Sequence, residues 1–118
     1  MAEEESRRPA LELAKGVQSA LRGYFDDRAT GFGVMNLVDD PSHLAFSVLF
    51  EVYDYLPLIF TYDRGSFGVA VDYGRRSVAI RPDDGEWAPF DQFDIVLRQI
   101  DREARLRIPE KYLNAKGW

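Results

Sequence analysis

Residues 39–65, DDPSHLAFSVLFEVYDYLPLIFTYDRG, decide how the rest of the chain is read. Between Leu44 and Tyr53 the residues alternate. Phe46, Val48, Phe50 and Val52 fall on one side, with Ala45, Ser47, Leu49 and Glu51 on the other. A period of two is the signature of a strand with one buried face. Pro57 cannot donate to a ladder from mid-strand, so PLIFTY begins a new strand. Upstream, DDPS combines proline with residues whose short polar side chains bond their own backbone, which predicts a turn.

Working outward, FGVMNLV (32–38) predicts a strand before this turn, and FGVAVDY (67–73) and SVAIR (77–81) predict two after it. The glycine-bearing connections DRGS and GRR are too short for crossover helices, so the pairing is expected to be an antiparallel meander. At the N-terminal end, Ala10, Leu13, Ala14, Val17, Leu21, Tyr24 and Phe25 recur at helical three–four spacing. Beyond PDDGEW, FDQFDIVLRQIDREARLR places Phe93, Val96, Leu97, Ile100 and Ala104 on one helical stripe. There Asp91 reads as the N-cap and Phe90 with Ile95 as a hydrophobic staple. Asp94–Arg98 and Asp101–Arg105 read as i,i+4 pairs on the outer surface. Pro109 ends that helix, and Tyr112, Leu113 and Trp118 in the tail have enough apolar area to dock on the body. The expected fold is α+β, a four- or five-stranded antiparallel sheet with an N-terminal and a C-terminal helix packed on it. Residues 1–118 are expected to form a single domain, with residues 1–9 as a flexible end.

Composition narrows the function. A chain of 118 residues, 46% apolar and 14% aromatic, can bury a core without covalent staples. It contains no cysteine, which removes disulfide frameworks, thiolate zinc sites and thiol nucleophiles. No apolar run reaches the length of a spanning helix and the charged N-terminus lacks a secretory core, so a soluble cytoplasmic protein is expected. The net charge of −5 is unevenly spread: residues 26–94 carry thirteen acids against five bases, and residues 95–118 carry six bases against three acids. An acidic middle disfavours binding to a phosphate backbone and favours a basic protein partner.

Candidate chemistry is sparse. Asp39, Asp40 and the lone His43 offer a carboxylate–imidazole group that would suit a small enzyme, but there is no second histidine and the turn reading accounts for both acids. The serines lack a base partner, and GFG and GSFG lack the lysine and helix start of a phosphate loop. No catalytic residue, cofactor or metal is therefore assigned. The remaining signal is tyrosine beside acid near strand ends. Asp54, Tyr62, Asp63, Asp72 and Tyr73, with Asp83, Asp84 and Glu86 in the following loop, are read as a partner-binding surface in which tyrosines supply contact area and carboxylates steer.

The acidic middle, the aromatic sheet, and the segments FDQFDIVLRQID and RIPEKYLNAKGW together resemble the small bacterial immunity proteins of polymorphic and contact-dependent toxin systems. The resemblance implies a stoichiometric inhibitor that covers the active site of a toxin domain; the residues themselves lead to the expectation of no enzymatic activity and no contact to nucleic acid or membrane. A second expectation from the same charge and size is an acidic, homodimeric, secretion-type chaperone, so the chain is read as a monomer or a homodimer.

Overall fold

The computed structural model describes residues 9–81 and 87–118. Helix α1 (Pro9–Phe25) opens with proline, whose fixed φ suits a first helical turn, so Pro9 belongs to the helix and not to a flexible end. Ala10, Ala14, Val17, Leu21 and Phe25 are its buried stripe. Both ends are tied to the sheet side of the molecule. At the start, the Ala10 N–H donates to Asp39 Oδ1 at 3.1 Å. At the end, Arg28 in the following short turn donates from Nε to the Phe25 carbonyl at 2.9 Å and from Nη2 to the Tyr24 carbonyl at 2.7 Å. Free terminal N–H and C=O groups, which cost energy when left unpaired, are thereby satisfied.

Five strands follow in chain order as an antiparallel meander: β1 (Ala29–Asp40), β2 (His43–Val52), β3 (Leu56–Asp63), β4 (Ser66–Asp72) and β5 (Ser77–Ala79). A two-residue β6 (Ala88–Pro89) also pairs with β4, making six in all. β5 lies along the late part of β4, where Ala70 faces Ala79, and β6 along its start, where Phe67 faces Ala88. β1 runs five residues beyond the span expected from its apolar pattern. Two register shifts against β2, between Thr30 and Gly33 and between Met35 and Val38, let it continue. Gly31 and Asn36 take the positive φ values such bulges require.

The expected alternation holds in β2. Phe46, Val48, Phe50 and Val52 are buried, and they join Leu58, Phe60 and Tyr62 of β3 and Phe67, Val69 and Val71 of β4 under the helices. Phe46 stacks on Tyr62 with ring centroids 5.2 Å apart, and Phe60 on Phe67 at 5.4 Å. Each fully buried ring contributes about 1.5–3 kcal/mol of transfer free energy, so this aromatic floor is a substantial source of stability.

Helix α2 (Phe93–Leu106) covers the floor with the expected stripe, all buried: Phe93, Val96, Leu97, Ile100 and Ala104. Its start differs from expectation. Phe90 is held by its N–H donating to the Gly65 carbonyl at 2.8 Å, and residues 90–92 form a 3-10 turn before the α-helix begins. No side-chain cap forms at Asp91, and Ile95 is 65% exposed. In place of the staple, Phe90 stacks on Phe93 at 5.8 Å and meets Tyr62 edge-on at 5.2 Å. The short helix α3 (Glu110–Lys116) buries Leu113 and closes on Gly117 in the left-handed conformation. As expected, Tyr112 and Trp118 pack against the core. Among the described residues, no helix is long and apolar enough to cross a membrane.

Candidate binding face

Because both long helices lie on one side, the other side of the sheet carries no long helix among the described residues, though Ala45 and Ser47 on it are buried, and its composition can be read row by row from the register. One row holds Gly33, Leu49, Ile59, Ala70 and Ala79, each paired with its neighbour. The next holds Met35, Ser47, Thr61 and Gly68, and the one beyond it Val38, Ala45, Asp63 and Ser66. On the opposite flank of the first row, Glu51 pairs with Thr30 and Pro57, and Asp72 with Ser77. The centre of the face is thus small or apolar, and carboxylates stand at both ends of the strands. Met35 and Val38 are 41% and 38% exposed.

Besides a hollow of about 350 Å³ at the Asp63 end, between Asp63, Arg64, Ser66 and Trp87, two more mark this face. One of about 130 Å³ lies over β3 and β4 between Ile59, Thr61, Gly68, Ala70 and Ser77, with the half-exposed Trp87 as a wall. The other, about 300 Å³, lies at the acidic end between Thr30, Leu49, Glu51, Pro57 and Asp72. Both are shallow depressions in a flat surface, and neither gathers a group of reactive side chains.

The expected binding residues divide. Asp63 and Asp72 belong to the face, at opposite ends. Asp63 Oδ1 accepts from Arg64 Nε at 2.8 Å and lies 3.0 Å from His43 Nε2. The Arg64 bond holds its carboxyl below the usual carboxylate range. Asp72 Oδ1 accepts from the Gly74 N–H at 2.8 Å. Tyr62 is buried on the helix side, stacked on Phe46 and met edge-on by Phe90, so it is a core residue and not a surface anchor. Even numbering in β3 places it with Leu58 and Phe60. Tyr73 is exposed just beyond the end of β4. Asp54 sits in the β2–β3 turn, its Oδ2 4.0 Å from Lys116 Nζ, away from the face. Asp83, Asp84 and Glu86 lie outside the described residues. Glu51 and Trp87 were missed. The alternation that put Glu51 opposite Phe50 was enough to place it on the bare side, whereas nothing local distinguishes Trp87 from a core tryptophan.

The alternative trio of Asp39, Asp40 and His43 is split between the two sides of the sheet. Asp39 turns to the helix side and caps α1. Asp40 Oδ1 accepts from the Ser42 N–H at 2.9 Å and from its hydroxyl at 2.8 Å, the expected Asx turn. These bonds hold the Asp40 carboxyl low. His43 faces Asp63. Among the described residues, no three histidine or acidic side chains are placed to hold a metal ion.

One polar cluster was not foreseen. Asp101, expected on the outer surface of α2, is buried and accepts hydrogen bonds from the hydroxyls of Tyr53 and Tyr24, the latter at 3.1 Å. Arg28 Nη1 is 3.7 Å from Asp101 Oδ2, the oxygen that accepts from Tyr24. Arg105, expected to pair with it, instead reaches the Tyr53 hydroxyl at 3.4 Å and the Trp118 backbone oxygen at 3.3 Å. Burial, followed by the bond to Asp101, raises the Tyr53 pKa; burial, followed by the Asp101 charge, raises that of Tyr24. None of the described hollows includes these residues, and every group in the cluster ties one element to another, so its role is structural. The chain matches no protein-family model, no curated protein and no solved structure.

Proposed function

We propose that this chain is a non-enzymatic binding protein of the toxin-neutralising kind, acting in the bacterial cytoplasm by laying its bare sheet face over a basic toxin domain. The observation that carries the reading is the face itself: an apolar band, Gly33–Leu49–Ile59–Ala70–Ala79, bracketed along the strands by Glu51 and Asp72 at one end and Asp63 at the other. Apolar centres supply affinity at protein interfaces, while charges at the rim steer a partner of opposite sign and raise its on-rate. The surplus of acid in residues 26–94 adds to that steering. Trp87, Met35 and Ile59 take the anchoring role first given to tyrosines, since tryptophan is enriched among residues that dominate binding energy. A flat acidic surface of this kind suits a protein, and it repels nucleic acid and anionic membranes.

The test is co-expression in the native host with the partner pulled down on the wild-type chain and on Glu51→Lys/Asp63→Lys/Asp72→Lys. The expected result is a partner with a basic surface, toxic when produced alone, rescued by the wild type and not by the triple variant. Equal rescue by a correctly folded triple variant overturns the reading.

A further inference from the structure

The bare face also limits the shape of what it can receive. We infer that the partner element seated on it is an α-helix lying along β2 and β3, with an apolar stripe at its centre and basic side chains near both ends. This rests on the reading of the face as the binding site.

Three observations carry it. First, a sheet face offers side chains and no backbone groups. An extended segment laid there leaves its own N–H and C=O groups unpaired, whereas a helix satisfies them internally. Pairing at β1, the edge strand among the described residues, is obstructed as well, since β1 is broken by two bulges, a common means of blunting an edge against added strands. Second, the dimensions agree. Pro57, in line with Glu51, and Asp63 are six residues apart in β3, about 20 Å at the usual strand rise. Helical positions about 14 residues apart span the same length and return to the same side. Third, the face is low where a helix would press on it. Gly33 sits within β1 with ordinary φ, and a Cβ built on it meets nothing within 4 Å. Neither packing nor backbone conformation asks for glycine there. Glycine within a strand weakens it, and often marks a place where another chain comes close.

The probe is an alanine-based helical peptide of about 20 residues, with a leucine stripe and two arginines about 14 positions apart. Binding is followed by amide shifts of the folded chain and by Trp87 fluorescence in a Trp118→Phe background. Shifts at Gly33, Leu49, Ile59 and Ala70, with affinity at least about tenfold above that of the same peptide carrying a central proline, support the inference; tenfold corresponds to one decade in Kd. Gly33→Lys, whose side chain enters open space, should keep the fold and abolish these shifts.

Equal binding of the proline-broken peptide, shifts confined to α1 and α2, or no shifts at millimolar peptide overturns it. So does a sedimentation series showing that a second copy of the chain already occupies the face. If the helical peptide fails while the triple charge reversal still loses the native partner, the face stands as the binding site and only the helix is wrong.

Discussion

The Tyr53 hydroxyl donates to the Asp101 carboxylate across 48 positions of sequence, joining the β2–β3 turn to the middle of α2. Tyr53 and Asp54 both take positive φ, 59° and 50°, within the three-residue loop between the paired Val52 and Leu56, and the Tyr55 N–H donates to the Val52 carbonyl at 3.1 Å, closing a turn of the primed kind that glycine or asparagine normally fills. Left-handed conformations at other residues cost on the order of 1–3 kcal/mol each. The surroundings offset this: the Tyr53 N–H donates to the Arg28 carbonyl at 2.6 Å, and its ring meets Phe25 and Trp118 edge-on.

Removing the hydroxyl alone therefore isolates the polar part of this junction. Tyr53→Phe is expected to lower stability by about 1–3 kcal/mol, because a buried carboxylate loses one of its two tyrosine donors while the ring packing is kept. Urea denaturation measures it. A change below about 0.5 kcal/mol, the size of an ordinary surface substitution, would show that the junction is held by ring packing alone.

Alkaline pH gives a second reading of the same cluster. Tyr24 and Tyr53 both have folded pKa values raised above the ordinary 10.0. The neutral phenols are favoured in the fold, so their contribution is complete below pH 10 and declines as pH climbs through the raised values. A pH series of denaturation midpoints should fall beyond pH 10, and Tyr24→Phe/Tyr53→Phe should flatten that fall. An unchanged slope in the double variant would remove the cluster from the account.

Two glycines should respond in opposite directions. Gly33→Ala is expected to be neutral or to stabilise by about 0.4–1 kcal/mol, since the added methyl meets open space and restricts the unfolded chain. Gly65→Ala, at φ 91°, forces an L residue into the left-handed region of the β3–β4 turn and should destabilise by more than that gain. Thermal melts of the pair provide the comparison.

The two ends of the apolar scale on the helix side can be tested likewise. Phe60→Ala empties a site with no solvent exposure and should cost about 3–5 kcal/mol. Ile95→Ser should change stability by no more than about 0.5 kcal/mol, because the side chain is out in solvent and not stapling the helix. A large loss at Ile95 would restore the staple.

Much of the architecture was legible from spacing alone. Alternation in residues 44–53 and three–four spacing in residues 10–25 and 93–104 identify elements whose buried sides are long and regular. The misreadings occurred where a distant partner overrides a local rule. Asp101 and Arg105 satisfy the i,i+4 pattern, yet two tyrosine hydroxyls from α1 and the β2–β3 turn draw the carboxylate inward. Asp91 has the right chemistry for a cap, but β6 pins Phe90 and moves the start of the helix. For the candidate face, Asp63 and Asp72 were chosen as acids beside tyrosines, and strand parity, which also puts Glu51 on that side, was not used to find it. Tyr62 was misplaced because its acidic neighbours were weighed ahead of its even position in β3.

The meander has a kinetic corollary. Every long strand after β1 pairs with the one made just before it, so hairpins from Ala29 to Asp72 can zip in succession without closing a large loop. Synthesis runs in the same direction, and a nascent chain is expected to hold its sheet before α2 has been translated. Until that helix arrives, Phe46, Phe60 and Phe67 have only α1 beside them, which is the interval in which the growing polypeptide is most exposed to aggregation.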